Sequence, residues 1–487
     1  MLLSISQAVF PDNESGTAYN WPTIVDKFQS GHITSPNLNK EIPDNWKKSI
    51  LKWCRNHKTQ IEANPDEHLI YSSVTISHFD KLMEIISQSP DFTEEILVLL
   101  SNAINARKDY NQGRCPHPVI GLNKIRLKRF QSAPIVEFNL RLPQNYSPQK
   151  KWPLIVHTDY RRAAAKQNYK GHGQAIEVWW FAHKLDQYLW KDYQYFYDFL
   201  NEKLNLDPER IYLDGQCADG IILMRLALQY PHHWAQCSIS LGNSCRHLSC
   251  NAYNLPLIFV NAAYINESII AYFDFTVKCF KFFNCKFFTY SKTLEINEIR
   301  KSLLPKEKKN LSPKRIIHRI ESLDHSRSYW LNIDGRKDEN LIASIDAQAC
   351  NQTIKLKTEN VDAYTLNLQL APVDCSRAVK IYENDNLINI ATSTLFASKS
   401  PKYMNAKIIK KQFLQGPIKD ALTDSHVVVY SENKNYEKLA VKIANSAPCC
   451  KESDLTENLL KTNNIIFIGN PFNGKLLKDS LEKLPLK

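Results

Sequence analysis

The chain has 487 residues, 43% of them hydrophobic and 23% charged, with a formal net charge of +12. That length exceeds the roughly 250–300 residues at which a single core stops growing, so two or three domains are expected. The balanced composition, without low-complexity tracts or an apolar run long enough to span a bilayer, excludes a disordered chain and a helical membrane span.

The positive charge is spread along the chain. Its densest run, Lys301 to Arg315, is interrupted by Pro305 and Pro313 and reads as a solvated loop, so no nucleic-acid partner is expected. Twelve cysteines without tight regular spacing read as free thiols in a reducing compartment. The opening MLLSISQAVF lacks the basic start and sustained apolar stretch of a secretory signal, which favours a cytoplasmic location. Glycine is scarce: there are 13 in the whole chain, where average usage is about 7%.

Residues 1 to about 110 are polar with helical patches. In HFDKLMEIISQ (78–88) and FTEEILVLLSNAINARK (92–108) apolar residues recur at three and four, and Pro90 followed by Thr93-Glu94-Glu95 resembles a helix start. From 123 the pattern alternates: KIRLKRF and IVEFNLRLP predict paired strands. PLIVH (153–157) reads as a buried parallel strand and AHKLDQYLWKDYQYFYDFLNEKLNL (182–206) as a long amphipathic helix, closed by the turn DPER. RIYLDG, GIILMRLALQYP, AQCSISLG, LPLIFVNAA, a helix near 267–283 and CKFFTYS continue a strand–helix alternation, which builds a mostly parallel sheet with helices on both faces. After 311 alternation returns without helices, in RIIHRIESL, SYWLNID, LIASIDAQA, NQTIKLKTE and AYTLNLQL, and predicts a compact antiparallel unit. From about 400, HVVVYS with a helix near 435–446, then NNIIFIGNPFNGKLLKDSLEKLP, predict a second small α/β piece.

NLRLPQNYSPQKKWPLIVH, LDPERIYLDGQCADG, LALQYPHHWAQCSISLG and NLPLIFVNAA resemble, in order and spacing, the prolyl-oligopeptidase-like (peptidase S9-like) and related esterase α/β-hydrolases. HSRSYWLNIDG, TIKLKTENVDAYTLNL, QGPIKDALTDSHVVVY and NNIIFIGNPFNG resemble the region that follows the catalytic domain in a group of bacterial members, so the resemblance spans roughly 120–487. It implies an α/β-hydrolase fold. It also implies a nucleophile on a sharp strand-to-helix turn, a histidine base, an acid and two oxyanion-binding N–H groups.

Each of those requirements meets a departure. The nucleophile elbow is Gly215-Gln216-Cys217-Ala218-Asp219-Gly220, with cysteine in place of serine; a thiolate is a good nucleophile, and a small buried thiol is the bland alternative. Asp219 stands where glycine is usual. Its β-carbon is expected to crowd the turn, and its charge to raise the thiol's pKa and oppose an oxyanion. PLIVH continues into Thr158-Asp159-Tyr160-Arg161-Arg162, so His157 matches the motif histidine while the oxyanion glycines are gone. Near the acid's place lie Asn266 and Glu267, of which only Glu267 can carry charge. After CKFFTY, where the resemblance implies a glycine–histidine loop, the chain reads Ser291-Lys292-Thr293-Leu294-Glu295. His318 and His325 follow in strand-like segments and read as structural.

Other constellations are weaker. Cys245, His247 and Cys250 could supply three zinc ligands, at a spacing that fits no common site. GNPFNGK lacks the Walker spacing, and the aromatics of EVWWFAHKLDQYLWKDYQYFYDFL could line a cleft or fill a core. No cofactor is implied.

The expected organisation is a helical N-terminal segment (1–110), an α/β-hydrolase domain (111–310), a β-rich unit (311–400) and a small C-terminal α/β unit (401–487). Two functional readings stand. One is a non-catalytic descendant of a peptide or ester hydrolase that binds a small-molecule or peptide ligand. The other is a working hydrolase using Cys217 with an unconventional base such as His157, His172 or His183.

Overall fold

The computed structural model describes residues 21–30, 42, 44–63, 69–128, 135–158, 173–180, 189–216, 218–240, 245–262, 277–280, 283, 285–290, 307–399, 426–431, 434–444, 448–456, 459 and 464–469. The chain divides into two compact units, Met1–Arg126 and Leu127–Lys487. The first unit holds four helices, α1 (Trp21–Gln29), α2 (Trp46–Ala63), α3 (Leu69–Gln88) and α4 (Glu94–Asn111). Their apolar faces close a core around Trp21, Ile50, Phe79, Phe92 and Leu100. At the predicted start of α4, Thr93 Oγ1 accepts from the Ile96 N–H at 3.3 Å, and Glu94 and Glu95 occupy the positive first turn. Strand β1 (Gly121–Lys128) spans the division between the units.

The second unit begins with β2 (Ile135–Leu142), β3 (Trp152–Thr158), β4 (Ile176–Trp180), helix α5 (Leu189–Lys203), β5 (Leu206–Gln216), helix α6 (Ala218–Gln229), β6 (Gln236–Ser240), β7 (Leu257–Ala262) and β8 (Cys285–Tyr290). The strands form a sheet in the order β2-β4-β3-β5-β6-β7-β8. β2 runs antiparallel to β4, and the remaining pairs are parallel. This is a mixed, mostly parallel α/β sheet. The sequence patterning has no strand at β4; the Glu-Val-Trp-Trp stretch, among the aromatics that could line a cleft or fill a core, is the strand between β2 and β3. DPER also differs from expectation. It belongs to the extended start of β5, where the Asp207 carboxylate accepts from the Glu209 N–H (3.0 Å) and from Arg210 Nε (2.6 Å).

The β-rich unit comprises β9 (Arg315–Ile320), β10 (Arg327–Ser328), β11 (Leu331–Arg336), β12 (Ala343–Cys350), β13 (Thr353–Glu359), β14 (Val361–Asn367), β15 (Val379–Glu383), β16 (Asn386–Ala391) and β17 (Leu395–Lys399). Two sheets, β16-β15-β13-β12-β9 and β10-β11-β14-β17, enclose a core drawn entirely from residues 316–396. Asparagine does here what glycine usually does. Asn351, Asn360 and Asn384 take left-handed φ of 52°, 53° and 47° between consecutive strands, a conformation Asn tolerates better than most residues. β16 is the outermost described strand of its sheet, and Leu387, Ile388 and Ile390 are exposed on it.

The C-terminal piece has β18 (His426–Tyr430), helix α7 (Lys434–Ala444), β19 (Cys449–Lys451) and β20 (Asn464–Ile468). Its parallel sheet runs β19-β18-β20, with Val428, Tyr430, Ala440 and Ala444 at its core. Among the described residues no helix is long and apolar enough to cross a membrane.

Candidate functional site

One residue separates β5 from α6: Gln216 ends the strand and Ala218 starts the helix. So abrupt a reversal demands close backbone approach, and two glycines supply it. A β-carbon added at Gly215 would stand 2.8 Å from Gly220 Cα and 2.9 Å from Gly220 N. One added at Gly220 would meet Ile239 Cγ2 at 3.1 Å and the Gly215 carbonyl oxygen at 3.3 Å. Gly215 and Gly220 therefore pack backbone to backbone across the turn. Asp219 sits half-buried in the first turn of α6, where a carboxylate complements the positive end of the helix. Gln216 and Ala218 are exposed and Gly220 is buried, while Cys217 between them lies outside the described residues. Thr158, at the end of β3, donates from Oγ1 to the Asp219 carbonyl at 3.1 Å, tying that strand to the same turn.

His157 precedes Thr158 on β3 and is buried, 5% exposed. Its Nδ1 lies 3.1 Å from Asp214 Oδ2, on the adjacent strand at the same register. Its Nε2 lies 3.3 Å from Glu177 Oε2 on β4. The ring stacks on Trp179 at 5.0 Å and 10°, and the Arg141 guanidinium lies over that indole at 5.8 Å. Burial alone would lower the imidazole's pKa; hydrogen bonds and charge from Asp214 and Glu177 outweigh it and raise it to about 9. The two carboxylates thus favour the protonated ring, with a partner for each nitrogen. Strand alternation puts it on the sheet face opposite α6, because that helix packs on Ile239, whose neighbours Ser238 and Ser240 share the face of Asp214.

Asp214 and Glu177 escaped sequence reasoning. Each was one acidic residue in an otherwise apolar strand, RIYLDG and AIEVWW, and the usable signal was that a carboxylate in a buried strand needs a cationic partner.

Of the other candidates, Glu267, Asn266, His172, His183, Arg161, Arg162 and the 291–297 segment lie outside the described residues. His318, on β9, donates from Nε2 to the His325 carbonyl at 3.0 Å, and both rings are buried. His247 pairs with Glu321 at 2.9 Å and Cys250 Sγ contacts Asn251 Oδ1 at 3.6 Å. Among the described residues no three His, Cys, Asp or Glu side chains gather as a metal site.

No family model matches the chain, and no curated protein does. Solved structures similar to it include a thermostable esterase, at 14% identity and TM-score 0.30, over 36% of this chain and 56% of that one. The enterobactin esterase from Shigella flexneri, in the presence of enterobactin, shares 12% identity at TM-score 0.32, over 39% and 58%. An acylaminoacyl peptidase in complex with a chloromethyl ketone shares 11% identity at TM-score 0.30, over 39% and 42%. The chain thus spans less than two thirds of the length of each of these three proteins.

Proposed function

We propose that this chain is an α/β-hydrolase-fold protein that has lost acyl-transfer chemistry and uses the scaffold to bind a small-molecule or peptide ligand. On this reading it comprises the helical segment 1–110, the hydrolase-type domain 111–310, the β-rich unit 311–400 and the terminal α/β unit 401–487.

The observation that carries the proposal is the state of His157. A general base must offer a lone pair near the nucleophile's proton. This imidazole faces a carboxylate at each nitrogen, 3.1 Å and 3.3 Å away, so neither nitrogen is free to take a nucleophile's proton, and the same carboxylates raise its pKa. It acts as a structural cation that lets β3, β4 and β5 bury two acids. The oxyanion side points the same way, because Asp219 brings negative charge to the helix end where an anion would otherwise be welcomed.

A second reading has one observation in its favour. The Gly215–Gly220 contact is the packing a strand–nucleophile–helix turn requires, and residue 217 immediately precedes a helix N-terminus, which favours a thiolate. Esterase and peptidase turnover, with labelling by a thiol-reactive ester, separates the two. We expect no acyl turnover, and labelling at pH 7 that is equal in the native protein and in Cys217→Ala. Turnover of any ester or peptide that Cys217→Ala abolishes would establish the hydrolase reading instead.

A further inference from the structure

The α/β sheet and the β-sandwich meet at a junction crossed by side-chain-to-backbone hydrogen bonds. Asn251 donates to the carbonyls of Leu228 and Arg319, both at 2.8 Å, and accepts from the Arg319 N–H at 2.7 Å. Asn254 donates to the Arg315 carbonyl, the Tyr230 hydroxyl to the Asp324 carbonyl, and the Tyr329 hydroxyl to the Pro231 carbonyl. The sandwich core contains no residue from the α/β layer, so the two bodies can part without opening it.

Three imidazoles gather at this junction: His232 in the turn after α6, His318 on β9 and His325 in the turn before β10. His318 is completely buried. Its Nε2 donates to the His325 carbonyl, which leaves Nδ1 as a lone pair with no hydrogen-bond partner. A proton added there becomes a buried donor without an acceptor. The Nδ1 of half-buried His232 is likewise sealed from solvent and unpartnered, as is the hydroxyl of Ser328 on β10. The His325 Nε2 accepts from the Glu321 N–H at 3.4 Å.

The charges around the pair do not favour a cation. His232 feels Arg327, His233, His318 and Lys309, every one of which opposes its protonation. Asp324 turns its carboxylate to Ser322 Oγ, and Glu321 is engaged at the rim by His247 and Arg225, with Arg319 donating to the His247 carbonyl. Burial, the largest effect on both rings, also holds them neutral; His318 is lowered to about 4.

We propose that this junction is an acid-released latch, in which protonation of His318 and His232 undocks the β-sandwich from the α/β layer while both cores stay folded. Below the ordinary imidazole value of about 6.5, each ring that regains its normal basicity on undocking raises the open population about tenfold per pH unit, and two raise it about a hundredfold.

Hydrogen exchange on the full chain at pH 7.0 and 5.0, corrected for intrinsic rates, tests this. The expected result is selective loss of protection in 246–256 and at the Arg319 amide, which bonds Asn251 across the junction, with the β9–β12 ladder and 343–367 unchanged. Replacing His318 with Gln should reduce that acid response by about tenfold per pH unit. Glu321→Gln, which removes the rim ion pair, should preserve it. Equal junction protection at both pH values, or exchange of 343–367 in step with the junction, would overturn the latch. If His318→Gln does not fold, ring titration by NMR decides: His318 protonating near 6.5 while junction amides remain protected would also overturn it.

Discussion

At the scale of single residues, the buried Asp214–His157–Glu177 arrangement is where the sequence was hardest to read. His157 stood out because of a motif, whereas its partners were hidden in apolar strands; a strand's period tells which face a side chain takes but not whether that face is covered. The physical stake is large, since breaking a buried ion pair leaves an uncompensated charge. His157→Leu should therefore cost about 3–5 kcal/mol, read as a shift in urea midpoint at pH 7. Adding Asp214→Asn should recover part of that loss, because one of the stranded charges is then gone.

Between elements, the β5–α6 turn separates two glycines that look equivalent in a sequence. Gly215 faces backbone at 2.8 Å, which cannot yield, so Gly215→Ala should destabilise by about 1–3 kcal/mol through overpacking. A β-carbon at Gly220 would meet Ile239 Cγ2 at 3.1 Å and the Gly215 carbonyl oxygen at 3.3 Å, contacts less severe than those at Gly215 and partly offset by the about 1 kcal/mol alanine gains over glycine in a helix, so Gly220→Ala should destabilise less than Gly215→Ala. Thermal melts of both variants check the ranking. The sequence showed a strand, a bend and a helix here, and placed the steric demand at Asp219. The close approach of Gly215 to Gly220 was not legible there, because it depends on α6 starting at Ala218, and helix onset is a boundary that local pattern locates poorly. The strand β4 was missed for a related reason: four consecutive bulky residues carry no period that distinguishes a doubly covered strand from a helix face.

Across the whole molecule, two classes of histidine pull stability in opposite directions with pH. His157 has a raised pKa of about 9, so its contribution is complete below about 6.5 and is lost as pH rises through 9. His318 and His233, lowered by burial to about 4 and about 3, contribute fully above about 6.5, and that contribution is lost as pH falls below it. Denaturant stability should therefore peak near pH 6.5, and His157→Leu should flatten the alkaline limb alone. A monotonic profile between pH 5 and 9 would contradict this division of roles. The alternation of strands and helices was legible along most of the chain because it depends on hydrophobic period. The charges that set this profile were not, since they depend on which strands become neighbours.

The ribbon Asn386–Ala391 has one further consequence. It bears neither charge nor proline, and among the described residues no strand pairs with its outer edge, beside exposed Leu387, Ile388 and Ile390. Nothing in its own side chains discourages a stranger's backbone from adding on. In concentrated solution, shelf life is then expected to follow this hem more closely than the melting temperature of the folded body.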